Sequence, residues 1–310
     1  MKTLTIGTRG SALALWQANH IKKRIEDEHE GVTVVLDVIK TTGDIILDVP
    51  LAKVGGKGLF VKEIEEALLR KDVDLAVHSM KDVPTELPDS LYLSAVTERH
   101  DPRDAFLSVK YNSFKELPQG ATLGTSSLRR QCQLCAIRPD LKIAQLRGNV
   151  GTRIRKMKEG QYDAIILAAA GLKRLGIDED IKELLSTEIS IPAIGQGALG
   201  IESRIGDDET YNLIAFLNHT ESAYAVKAER AFLMKLEGGC QVPIAGFGTI
   251  DGDTIHFSGL VGSETGDVIL KDSISGNVND AEKLGVELAQ RLLDRGADKI
   301  LKEVYEKTKA

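Results

Sequence analysis

Ile6-Gly7-Thr8-Arg9-Gly10-Ser11 and Leu123-Gly124-Thr125-Ser126-Ser127-Leu128 share one short pattern. Each sets apolar strand residues before Gly-Thr and then a serine. That serine can cap a helix by accepting from its unpaired first amides. Each segment is followed later by a helix that leads into an acidic strand start. These starts are Asp72-Val73-Asp74-Leu75-Ala76-Val77 and Gln161-Tyr162-Asp163-Ala164-Ile165-Ile166. Two α/β lobes of similar construction, joined in sequence around a cleft, are one reading. Chance recurrence of common strand–helix grammar is the other.

The same alternation extends outward. Residues 3–8 read as a strand, Ser11 caps a helix to about residue 29, and Val32 to Ile39 is a second strand. Residues 40–58 read as a long loop. Leu59 to Arg70 reads as an amphipathic helix with Glu63, Glu65 and Glu66 outside. Leu75 to Val77 is a third strand, and a loop with Pro84 and Pro88 follows it. Such alternation implies βαβ units on mainly parallel sheets. Two crossings between lobes are expected, near Glu98 to Arg103 and near Ile191 to Gly197. The second leads into a returning strand, Ala198 to Glu202, so the first lobe is discontinuous. The expected division is 1–99 with 197–216, then 103–192, then 218–310. The last part reads as a small α+β domain: a helix from Glu221 to Leu236, strands near 244–250, 254–261 and 267–274, and helices near 280–294 and 297–307.

Composition narrows the function. The 310 residues are 42% hydrophobic and 28% charged, with net charge -6, as in an ordinary soluble protein. Without a global basic excess, nucleic acid is not expected as a partner. Arginine clusters in an acidic chain point instead to small anionic ligands. The N-terminus has no signal-peptide core, and no apolar run approaches the roughly 20 residues that span a bilayer. A cytoplasmic chain with no membrane partner is expected. No coiled-coil or apolar interface stripe stands out, so a monomer is expected. His20, His29, His78, His100, His219 and His256 share no metal-ligand spacing, and no metal site is expected. Cys132 and Cys135 form a CxxC inside a predicted helix and read as structural.

Three corners carry arginine. Gly124 to Arg130 places Thr125, Ser127, Arg129 and Arg130 at a helix start, where free amides and the helix dipole favour an anion. Arg147-Gly148-Asn149-Val150-Gly151-Thr152-Arg153 repeats the design after the next strand, and Arg9 with Ser11 supplies a third corner. All three are expected beyond the carboxyl ends of strands, where open α/β sheets bind ligands. Forked guanidinium donors suit carboxylate or phosphate. Lys53-Val54-Gly55-Gly56-Lys57-Gly58 departs from the P-loop pattern, because no Ser or Thr follows Lys57. It reads as a mobile lid or as a surface loop without a role. His78-Ser79-Met80-Lys81-Asp82-Val83-Pro84 puts an acid beside a lysine at a strand end. An acid there could stabilise a cation or move a proton. Leu236-Glu237-Gly238-Gly239-Cys240-Gln241-Val242-Pro243 sets a thiol between flexible glycines and a stiff proline. It reads either as an anchor held out on a tight loop or as a buried small hydrophobe beside a turn.

Several separated motifs resemble the porphobilinogen deaminase family. They are Gly7-Thr8-Arg9 with Ser11 and Ala14-Leu15-Trp16-Gln17; Pro50 to Phe60; His78 to Pro84; Gly124 to Gln131; Leu146 to Arg153; Ala170 to Gly176; Gly195-Gln196-Gly197; and Glu237 to Pro243. They run in family order from residue 1 to about 245. The resemblance implies two lobes like those of periplasmic binding proteins and a third domain carrying Cys240. That cysteine would hold a dipyrromethane through a thioether, made from the enzyme's own substrate and serving as primer. Porphobilinogen would lose ammonia to give an azafulvene-like cation, which the free α-carbon of the primer attacks. Four additions and a hydrolysis would release hydroxymethylbilane. On the family pattern, Lys81, Thr125, Ser127, Arg129, Arg130 and Gln196 would hold the cofactor. Arg9, Ser11, Gln17, Phe60, Arg147, Arg153 and Arg174 would contact substrate, and Asp82 would sit near the pyrrole nitrogens. The lid formed by Lys53, Gly55, Gly56, Lys57 and Gly58 would exclude water, which otherwise traps the electrophile. A two-lobed receptor that binds a dicarboxylate without chemistry is the rival reading, and it leaves Cys240 unused.

Overall fold

The computed structural model describes residues 2–45, 61–237 and 242–309. Its first sheet contains β1 (Lys2–Thr8), β2 (Val32–Val38), β3 (Leu75–Ser79) and β4 (Leu91–Val96). The helices α1 (Ala12–Glu28), α2 (Thr42–Ile45) and α3 (Lys62–Arg70) lie between these strands in sequence. β1 pairs in parallel with both β2 and β3. A strand from much later in the chain, Leu199–Arg204, inserts between β3 and β4 and is antiparallel to both. Four strands therefore share one direction and one opposes them.

The second sheet repeats this plan. It contains β5 (Asp104–Leu107), β6 (Thr122–Gly124), β7 (Lys142–Ala144), β8 (Ala164–Ala168) and β9 (Glu183–Leu184). The helices α4 (Leu128–Ile137), α5 (Val150–Lys158) and α6 (Ala169–Arg174) accompany them. The sheet order is β7-β6-β8-β5-β9. β6 is parallel to β7 and β8, and β5 runs against β8 and β9. β5 thus holds the place that Leu199–Arg204, hereafter β10, holds in the first sheet.

The likeness extends to single atoms. In the first lobe the Thr5 amide donates to Asp74 Oδ2 at 2.7 Å, and the Asp74 amide donates to the Thr5 carbonyl. In the second, the Thr122 amide donates to Asp163 Oδ2 at 2.8 Å, and the Asp163 amide returns to the Thr122 carbonyl. The glycines of the quoted pattern are equivalent too. A Cβ on Gly7 would meet Val73 Cγ2 at 3.1 Å, and one on Gly124 would meet Tyr162 Cδ1 at 2.8 Å. Val73 and Tyr162 each precede the capping aspartate, so the glycine lets the same residue of the partner strand approach closely. Both lobes are built on one plan.

After α7 (Asp208–Ile214), α8 (Thr220–Lys235) packs with α9 (Ala281–Asp294) and α10 (Ala297–Lys309). They cover an antiparallel sheet of β11 (Ile244–Asp251), β12 (Thr254–Gly262) and β13 (Ile269–Asn277). Its core centres on Phe232 and Phe257, edge to face at 5.3 Å, with Leu288 and Leu292 fully buried around them. Each such side chain contributes roughly 1.5–3 kcal/mol of burial free energy.

Three expectations need revision. Leu91–Val96, beyond the expected loop with Pro84 and Pro88 and given no element there, forms β4, and the short β5 and β9 were not anticipated either. Part of the expected loop 40–58 forms the one-turn α2, while residues 46–60 lie outside the described residues. Glu65 is half-buried rather than outside: its Oε1 is buried and has no hydrogen-bond partner among the described residues. Cys132 and Cys135 are free and buried on α4. Burial pushes the Cys132 thiol up to about 12, which fits a packing role. A Cβ on Gly262 of β12 would sit 3.1 Å from its Sγ.

Candidate functional site

The site grows from the strand ends. Ser11, Ser127 and Asn149 are the N-caps of α1, α4 and α5, accepting from the Ala14, Arg130 and Thr152 amides. Each cap faces the carboxyl end of a parallel strand, as expected of the three corners. Thr125 is buried, and its hydroxyl accepts from the Ser127 amide at 3.2 Å. Ser126 locks two corners together by donating to the Leu146 carbonyl and accepting from its amide. Arg9 is half-buried in the first corner.

A cleft lies between the lobes. Ser79 and Lys81 line one wall, Arg130, Arg153 and Arg174 the other, and Gln196 lines it from the turn at the second crossing. Leu13 of α1 and Gly171 of α6 approach across it. Gln17 is buried and donates to Ser79 Oγ at 2.8 Å. Lys81 and Asp82 form a single 3-10 turn at the end of β3, and Asp82 is exposed.

Positive charge is crowded here. Burial brings the Lys81 ammonium down to about 8, with Asp82 opposing and Arg130 adding to the effect. Arg153 is lowered to about 10 by burial and by Arg130, against the pull of Asp82; Arg147 lowers it further. Its Nε donates to the Gly148 carbonyl at 2.7 Å. Arg147 is half-buried, and burial lowers it as well. Arg174 is buried and brought to about 10 by desolvation. One of its amino groups donates to the Gly197 carbonyl at 2.6 Å, while its buried Nε has no hydrogen-bond partner among the described residues. Buried cations are costly unless compensated. A cleft of this kind complements a ligand with several carboxylates.

Arg129 and Arg130 differ from an open cradle. Both are buried and fork onto Asp104, with contacts of 2.8 Å each. Arg130 also donates to the Ile166 carbonyl and Arg129 to the Ile191 carbonyl. Asp104 further accepts from Ser190 and from Gln196, whose Nε2 also reaches the Pro102 carbonyl. The paired guanidiniums hold the Asp104 carboxyl far below the usual carboxylate range despite its burial. Sequence reasoning missed Asp104, although an acid opening the buried strand Asp104-Ala105-Phe106-Leu107 was a usable signal.

Two more acids were missed. Glu202, inside the apolar run of β10, meets His78 Nε2 at 3.0 Å, and both are buried. Glu65 lies near enough for repulsion. Its carboxyl is raised to about 7, by burial first and then by Glu202. Glu229 sits on the buried stripe of α8 with Ala225, Ala228 and Phe232. It accepts from both terminal nitrogens of Arg99 and from the Gly195 and Gly248 amides. An acid at the core spacing of a helix could have revealed it. Phe60, Lys53, Gly55, Gly56, Lys57, Gly58 and Cys240 lie outside the described residues. Among the described residues no His, Cys, Asp and Glu cluster could hold a metal ion, and no helix is long and apolar enough to cross a membrane.

Residues 4–212 match the family model described as porphobilinogen deaminase, dipyromethane cofactor binding domain, and residues 223–294 match the porphobilinogen deaminase C-terminal domain. Porphobilinogen deaminase of Trichlorobacter lovleyi is 60% identical over 306 residues, 99% of this chain and 98% of the relative. That of Geotalea uraniireducens is 58% identical over 307 residues, covering 99% and 96%. Among solved structures, the methionine-binding protein MetQ is similar with a TM-score of 0.46 and 15% identity, over 74% of this chain and 94% of that one. With both lobes and the C-terminal part matched in order, and identity near three-fifths along almost the whole length, the chain belongs to the porphobilinogen deaminase family.

Proposed function

We propose that the chain joins four porphobilinogen molecules head to tail, with loss of ammonia, on a covalent dipyrromethane primer and releases hydroxymethylbilane by hydrolysis. The observation that carries this reading is the convergence of Lys81, Arg130, Arg153 and Arg174 on one cleft, with a buried Arg174 Nε left without a partner among the described residues. Each pyrrole unit brings two carboxylates, so a growing chain suits a cleft with this excess of cations. The residues therefore fit the cofactor. When bound, dipyrromethane supplies a pyrrole α-carbon as nucleophile and primer.

In this reading Cys240 anchors the primer. Lys81, Ser127, Thr125, Arg130 and Gln196 hold its acid groups, and Arg129 acts with them through Asp104. Arg9, Ser11, Gln17, Arg147, Arg153 and Arg174 receive the incoming substrate, with Phe60 stacking on its ring. Asp82 stabilises positive charge on pyrrole nitrogen and relays protons. The segment Lys53 to Gly58 excludes water. The three-domain division is 1–99 with 197–216, 103–192 and 218–310. The chain acts as a cytoplasmic monomer with no nucleic acid or membrane partner.

The test is the intact mass of the purified, denatured protein beside a Cys240→Ser variant. An adduct of two porphobilinogen-derived rings, absent from the variant, is expected. A chain that stays unmodified after incubation with porphobilinogen would overturn the anchor assignment and favour the receptor without chemistry.

A further inference from the structure

The turn that carries Asp82 has no ladder to hold its outgoing side. Its Val83, Pro84 and Thr85 carbonyls are three consecutive acceptors beyond the end of β3. All three are taken by one side chain, Arg230 of α8, at 3.3, 2.6 and 3.2 Å. Arg230 is half-buried, and burial lowers its pKa. One turn earlier, Val226 packs into the cluster of Met80, Val83, Val96 and Ala198. A single face of α8 therefore grips the turn twice, once by apolar packing and once by hydrogen bonds. The same helix ends at Lys235, five residues before Cys240.

We propose that Arg230 is a positioning residue for the reaction. It holds the Val83–Thr85 backbone so that Asp82 meets the cleft, and it registers that turn to the helix leading to Cys240. This rests on the role of Asp82 proposed above. Arg230 lines no part of the cleft between the lobes, so its effect passes through Asp82. A guanidinium fits the task because its fork can serve several acceptors at once, whereas an ammonium is a compact point charge on a flexible stem. A misplacement of about 1 Å in a reacting group can cost on the order of 100-fold in rate.

The experiment compares Arg230→Met, Arg230→Lys, Asp82→Asn and the Arg230→Met/Asp82→Asn double variant. All are purified as holoenzyme, checked for primer by intact mass and for folding by thermal melting. The expected result for Arg230→Met is a retained primer, a kcat lowered by about 10- to 100-fold and a KM within about 3-fold of the parent. Arg230→Lys should recover part of the loss and keeps the test available if the Met variant does not fold. The double variant should be no slower than Asp82→Asn alone, because both changes disable one unit. An unchanged kcat in Arg230→Met, a lost primer, or losses that multiply in the double variant would each overturn the proposal. A parental rate in Asp82→Asn would remove the role given to Asp82 above and this inference with it. That failure is separately visible, because it needs no Arg230 variant.

Discussion

Asp104 shows how one buried acid organises several bases. Its two oxygens accept from Arg129, Arg130, Ser190 and Gln196. A carboxylate so surrounded favours its charged form, and the stability it contributes is fully present above its unfolded pKa and fades as pH falls. Removing one member of such a buried set costs about 3–5 kcal/mol, since the partner charges remain buried. Lys81 lies close to this cluster and behaves differently. Its ammonium titrates near 8, chiefly through burial, so its charge is present below that pH and lost above it. If it holds a carboxylate of the cofactor, that charge draws its pKa upward, so kcat/KM should decline as pH rises beyond about 8. Lys81→Arg should abolish that decline, because a guanidinium keeps its proton. An identical bend in the variant's pH–rate profile would show that another group causes it.

At the scale of elements, α3 follows the segment expected to cover the cleft. Its sequence reads as amphipathic, and Ile64, Ala67 and Leu68 are indeed buried. Periodicity did not disclose that Glu65 turns towards Glu202 and His78, because that pair comes from β10 and β3. Between about 4.5 and about 7 the folded protein keeps the Glu65 proton that the unfolded chain releases. Stability from this group is therefore present at low pH and lost as pH rises through that window. Glu65→Gln should flatten the fall in Tm across these pH values and raise Tm at pH 8 relative to the parent. Partial exposure of Glu65 moderates the size of the effect. Parallel Tm–pH curves for the two proteins would contradict it.

In the whole molecule, both crossings between the lobes meet the C-terminal part at Glu229. Arg99 comes from the first crossing, the Gly195 amide from the second and the Gly248 amide from β11. Arg99 also lies over the Phe247 ring at 5.5 Å. Glu229→Gln keeps the shape but removes the charge that Arg99 faces and turns an acceptor into a donor. The expected cost is about 3 kcal/mol, read by denaturant unfolding. Faster amide hydrogen exchange at Gly195 and Gly248, whose amides donate to Glu229, should accompany it. A variant with unchanged stability and exchange would mean that apolar packing alone secures the junction.

Local pattern was enough for much of this. The Gly-Thr–Ser corners, the helix caps, the acidic strand starts and the antiparallel α+β end all depend on neighbours close in sequence, so their signals survive in a short window. The recurrence of the corner motif also pointed to two lobes of one plan. Folding alone determined where the buried charges went. Asp104 finds Arg129 from 25 positions away, Glu202 finds His78 from 124, and Arg230 reaches Pro84 across 146. No periodicity records such partners, because what makes a buried charge tolerable is the group that topology brings against it. For the same reason Arg129 and Arg130 read as an open cradle in sequence and prove, once folded, to be tied to an acid on β5, a pairing that neither segment announces.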